Sequence, residues 1–110
     1  MIYNILIPTN DIAVVITLWS IKEVIFGSNT QRTQHLIGYI REENAGRVTS
    51  AIQNFDQEKR IITTRSGRIY QLSGKPGSHG DAQYVWDHWK NDNDARDELD
   101  ATEQYINNLL

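Results

Sequence analysis

The sequence contains no cysteine. A disulfide framework, a thiolate metal cage and a cysteine nucleophile are therefore excluded, and the absence suits a reducing compartment. Proline is scarce, with two residues. Long apolar runs are missing: the richest, Ile12 to Ile21, is about half of what a bilayer span requires. Its β-branched residues (Ile12, Val14, Val15, Ile16, Thr17, Ile21) favour a buried strand over a membrane helix. The opening residues, Met1 to Pro8, have no positive n-region and no small-residue cleavage site behind them. A cytoplasmic protein with no membrane contact is expected.

At 110 residues the chain has the length of one domain, long enough to enclose a core without covalent staples. The expected division is a β core over residues 12–73 and an acidic helical tail over 81–110. Charge follows the same division. Residues 1–80 hold nine Lys/Arg against six Asp/Glu, whereas residues 81–110 hold two against eight. Within the first part, Lys59 to Gly80 carries Lys59, Arg60, Arg65, Arg68 and Lys75 with no carboxylate. A dipolar chain of this kind either folds its acidic end onto its basic middle or shows two faces to partners.

Period-two patterning places strands at 12–26, 34–41 and 47–55. The clearest local signal is Ile61-Ile62-Thr63-Thr64-Arg65, then Ser66-Gly67, then Arg68-Ile69-Tyr70-Gln71-Leu72, a hairpin pattern. Five strands of this length suggest a small SH3-like barrel or a rolled antiparallel sheet. The period then changes. Ala82, Val85, Trp86 and Trp89 form a helical stripe with Asp81 as candidate N-cap, and its tryptophans are expected to cap an open end of the barrel. A second stripe (Ala95, Leu99, Thr102, Ile106, with Leu109 or Leu110) predicts another helix. The expected class is α+β, a five-stranded core followed by one or two C-terminal helices.

Few residue patterns point to chemistry. His35, His79 and His88 have no HxH, HxxxH or HExxH spacing, so a metal site is not expected and no cofactor is assigned. A calcium loop starting at Asp92 needs an oxygen ligand at its fifth position and glycine at its sixth, and meets Arg96 and Asp97. The glycines around Gly74-Lys75-Pro76-Gly77 lack the phosphate-loop spacing. No Gly-x-Ser-x-Gly elbow is present. Nothing singles out a carboxylate pair, and an enzyme is not expected. Two charged features remain. If Ser66-Gly67 is a two-residue turn, Arg65 and Arg68 lie directly opposite, an arrangement that a negative group would stabilise. Arg47, Lys59 and Arg60 are expected to add to the same end. The acidic tail (Asp92, Asp94, Asp97, Glu98) either forms a solvated face or imitates a phosphate backbone.

The stretches His35-Leu36-Ile37-Gly38-Tyr39, Gly46-Arg47-Val48-Thr49-Ser50-Ala51-Ile52, Thr64-Arg65-Ser66-Gly67-Arg68-Ile69-Tyr70-Gln71-Leu72, Pro76-Gly77 and Ala82-Gln83-Tyr84-Val85-Trp86-Asp87-His88-Trp89 carry a resemblance. They resemble small bacterial proteins of no assigned activity that are associated with prophages, over residues 33–90. What the resemblance implies is a setting: small proteins of mobile elements frequently bind a host protein, anti-CRISPR and other anti-defence inhibitors among them. It brings no catalytic or binding residues with it.

The expected function is accordingly a non-enzymatic protein-binding module, a phage-type inhibitor of a nucleic-acid-handling host complex such as CRISPR-Cas. Its expected partner is a host protein or complex. Arg65, Arg68, Asp92, Asp94, Asp97 and Glu98 are the expected contact residues. The alternative is a nucleic-acid-binding regulator that uses the basic hairpin 59–75.

Overall fold

The computed structural model describes residues 13–106. Residue 12 of the first expected strand, and Leu109 and Leu110 of the second expected helix, lie outside them. In chain order the elements are β1 (Val14–Phe26), β2 (Thr33–Ile40), β3 (Ala45–Val48), β4 (Ile52–Asp56), β5 (Ile61–Thr64), β6 (Ile69–Ser73), α1 (Gly80–Asp92) and β7 (Ala95–Asp100), with a 3-10 turn over Thr102–Tyr105. The class is α+β: mostly sheet, with one α-helix.

The long β1 organises the sheet. One edge pairs antiparallel with β2, from Thr17↔Tyr39 to Val24↔Thr33. The other edge is shared, pairing parallel with β6 over Val14–Thr17 and antiparallel with β7 over Lys22–Phe26. Between the two registers with β2, β1 gains one residue at a bulge where Leu18 takes a φ of 49°. A bulge shifts the alternation of side chains by one. Ile16 before it, and Trp19 and Ile21 after it, consequently all enter the same core while Leu18 stays exposed.

The ladders run β3-β2-β1-β6-β5-β4, with β7 added on β1. The sheet is open and has seven strands where five were expected. The expected strand 47–55 breaks at Thr49–Ala51, and its halves β3 and β4 become the two end strands of the path. The junction is held on both sides: the Thr49 amide donates to the Leu36 carbonyl (3.0 Å) and the Arg65 amide donates to the Ala51 carbonyl (2.8 Å). Because the end strands are consecutive in the chain, the sheet is drawn round one core of Ile16, Trp19, Ile21, Leu36, Ile40, Ile62, Tyr70, Leu72, Ala101 and Tyr105.

Neighbouring residues of a strand point to opposite faces. Leu36 enters this core, while Ile37 faces a second cluster with Val24, Ala82 and Trp86. Helix α1 therefore lies on the outer face of β2 and does not plug an open end of a barrel. Close approach explains Gly46: a Cβ there would stand 2.5 Å from the Asp81 carbonyl oxygen and 2.6 Å from the Ala82 nitrogen. The N-cap is His79, whose Nδ1 accepts from the Asp81 amide, so Asp81 sits in the first turn instead of capping it.

The second helix expected from Ala95, Leu99, Thr102 and Ile106 does not form. Ala95–Asp100 is a strand paired with β1, and only Thr102–Tyr105 coils, as a single 3-10 turn. The spacing was real but non-local pairing claimed it. The free edge of β1 at Lys22–Phe26 offers backbone partners, and Thr102 Oγ1 accepts the Ile21 amide (2.9 Å) at the point where β7 ends.

Candidate binding surfaces

The hairpin tip is built differently from the expected two-residue turn. The Thr64 amide donates to the Arg68 carbonyl (3.0 Å), and the Gly67 amide donates to the Thr64 carbonyl (2.8 Å). Thr64 thus pairs with Arg68 around a three-residue loop, Arg65-Ser66-Gly67, and Gly67 takes the left-handed φ of 91° that closes such loops. Arg65 and Arg68 are not opposite one another, and the expected like-charge pair does not arise.

The loop sends the two arginines to different depressions. Arg65 lines a polar hollow of about 350 Å³ with Ser28, Asn29, Thr30, Gln31 and Thr33. Arg68 lines a shallow groove of about 320 Å³ with Arg47, Val48, Thr49, Ser50, Ser66 and Tyr70. The groove lies at the break between β3 and β4. The hydroxyl of Ser50 pins it to the tip by accepting the Ser66 amide (3.1 Å). Arg47 joins Arg68 here as expected, donating to Tyr70 Oη (3.1 Å) and to Glu43 (2.5 Å). Lys59 and Arg60 do not. They sit at the other end of the strands, where Arg60 donates to the Gly74 carbonyl (2.7 Å), so the basic stretch 59–75 is split between two ends of the hairpin.

Asp92 ends α1, Asp94 lies in the turn that follows, and Asp97 and Glu98 are on β7. Glu98 is occupied: it accepts from Lys90 (2.8 Å) and from Trp86 Nε1 (3.3 Å), and this contact holds the Lys90 ammonium above its ordinary pKa. Asp94 is near Arg96 (3.9 Å). Asp92 and Asp97 are exposed and have no ion pair among the described residues. Asp97 takes a φ of 58° where the register with β1 slips, which turns its side chain out of the regular alternation. The outer edge of β7 carries no ladder among the described residues, and Leu99 on it is 56% exposed. Sequence reasoning missed this edge because the residues read as a helix.

Two basic groups tie β7 to the sheet. Lys22 pairs with Asp100 (3.5 Å), and the Arg32 guanidinium donates to the Asp97 carbonyl and to Glu23 (2.6 Å). Hydrogen bonding from Gln34, with Arg32 beside it, holds the Glu23 carboxyl below its ordinary pKa. The acidic segment is thus stitched into the fold.

The histidines are dispersed. His88 packs on Tyr84, and His79 stacks on Tyr39 at 3.9 Å between ring centres. His35 is 1% exposed beneath α1, beside Trp89 (4.7 Å), Phe26 and Trp86. Its Nδ1 meets the Thr49 carbonyl at 2.8 Å and its Nε2 meets the Thr33 hydroxyl at 2.7 Å. Burial, reinforced by the positive charge of Arg65, pushes its pKa below the ordinary value. Among the described residues no three His, Asp or Glu side chains gather as a metal site would require, and no helix is long and apolar enough to cross a membrane.

No family model matches the chain, and neither a curated protein nor a solved structure is significantly similar to it.

Proposed function

We propose that this chain is a non-enzymatic protein-binding module that docks through the acidic rim formed by β7 and the last turn of α1. One observation carries the reading: among the described residues β7 is an edge strand with an unladdered outer side, bearing Asp97 and an exposed Leu99. Edge strands recruit partner strands through their free backbone groups, and their side chains select the partner. Residues 80–100 hold seven carboxylates against Lys90 and Arg96, so the selected partner is basic. In the setting of a mobile element, such a partner is the basic groove of a nucleic-acid-handling host complex, CRISPR-Cas among them. The carboxylates then stand where phosphates would.

Of the residues expected from the sequence, the proposed contact set keeps Asp92, Asp94 and Asp97 and adds Leu99; Glu98 is left out because it serves Lys90 and Trp86, and Arg65 and Arg68 because they line depressions at the hairpin tip. The curled sheet beneath supplies a rigid base. Taking β3 and β4 as one kinked strand, we read it as a five-strand SH3-like barrel extended by β7.

The test is competition. A host protein captured on the wild-type chain is loaded with a labelled oligonucleotide, and added chain should displace it. Asp92→Lys combined with Asp97→Asn, which keeps a residue suited to the left-handed φ at position 97, should weaken displacement on the order of tenfold, with the melting temperature unchanged. Undiminished displacement by the double variant removes the reading.

A further inference from the structure

We propose that the groove at the β3–β4 break is a phosphate-binding site, distinct from the acidic rim. None of its lining residues belongs to α1 or β7.

The lining contains two guanidinium groups, three hydroxyl side chains and the phenol of Tyr70, and no carboxylate. Arg47 has five N–H donors. Two are in use, on Tyr70 and Glu43, and the Glu43 partner is half-exposed, so the pairing is weakly held against competitors. Arg68 has no ion pair among the described residues and is exposed beside the groove.

The phenol of Tyr70 is the second observation. Tyr70 is 1% exposed, and its oxygen accepts from Arg47. Its own proton finds no acceptor among the described residues. A buried hydroxyl with an idle proton is costly unless an acceptor reaches it. The groove is where that acceptor would enter, flanked by guanidinium forks whose geometry matches a phosphate.

The shared chemistry is a phosphate group that presents its non-bridging oxygens to the guanidinium groups. It comes either from a free phosphate or mononucleotide or from the backbone of a single-stranded nucleic acid. The groove is shallow and opens along the tip, so either source has access.

Binding of inorganic phosphate, adenosine monophosphate and a short oligothymidylate is measured by calorimetry at low ionic strength, on the wild type and three variants. Saturable binding of phosphate or the mononucleotide identifies a discrete phosphate site; binding of the oligothymidylate alone identifies a backbone site. Arg68→Gln should weaken the bound probe by about tenfold. For the oligonucleotide it should also lower the slope of log K against log salt by about 0.7. Tyr70→Phe keeps the core ring and should weaken binding by about tenfold, near the lower end of what one hydrogen bond to a charged group contributes. Lys75→Gln, at the far end of the hairpin, should change nothing. The proposal is overturned if none of the probes binds saturably, if Arg68→Gln equals wild type, or if Lys75→Gln loses as much as Arg68→Gln. The first two results exclude the site, and the third reduces it to diffuse attraction. None of these outcomes bears on the acidic rim, whose test uses other residues and another readout.

Discussion

His35 is sealed among aromatic rings, and its burial makes stability depend on pH. Its folded pKa lies below its ordinary value near 6.5, so the unfolded chain binds the proton more readily. Stability is complete above about pH 6.5, falls as the pH drops through that value, and levels off below the folded pKa. Urea unfolding followed by tryptophan fluorescence should show this decline between pH 7 and 5, and His35→Gln should flatten it. Gly46 is the other residue where one atom decides. Adding a methyl group drives it into the backbone of α1, so Gly46→Ala should cost on the order of 1–3 kcal/mol. Sequence alone gave no hint of either role, since both depend on α1 lying across β2 and β3. A polar residue in a strand and a glycine after a turn have ordinary local explanations.

Helix α1 illustrates what can be read at the scale of an element. Its stripe of Ala82, Val85, Trp86 and Trp89 was legible because helical spacing is set by local geometry. Which surface receives the stripe was not legible, because that depends on strand order. Within this helix, Trp86 is fully buried while Tyr84 is 65% exposed. Trp86→Ala should therefore cost about 3–5 kcal/mol, and Tyr84→Ala about 0.5 kcal/mol or less, by chemical denaturation. Strand β7 shows the opposite case. Ala95, Leu99, Thr102 and Ile106 fit a helix, yet Asp94 and Asp97 adopt left-handed φ and the segment pairs with a strand some seventy residues earlier. Aspartate tolerates that conformation better than most residues, which was the available clue. At the hairpin, glycine in third place was likewise the mark of a three-residue loop.

At the scale of the whole molecule, the tail is an integral part of the fold. Ala101 and Tyr105 enter the main core, and Thr102 satisfies the Ile21 backbone. A chain ending at Asn93 would lose these contacts and leave the edge of β1 bare. It should lose the cooperative thermal transition seen by circular dichroism and associate on gel filtration. The partition of charge read from the sequence holds only in part. Lys22 and Arg32 reach across to β7, so the acidic segment is anchored by basic residues of the core. The strand-rich class followed from periodicity, whereas the split of residues 47–55 and the shared edge of β1 are consequences of three-dimensional closure.

The odd number of residues in the β5–β6 loop has a lasting effect on recognition. It turns the tip into a ridge, with Arg65 on one slope and Arg68 on the other. A flat ligand can rest against one slope only. Anything that grips both must arch over the crest like a saddle, and its two flanks must answer to two unlike sets of neighbours.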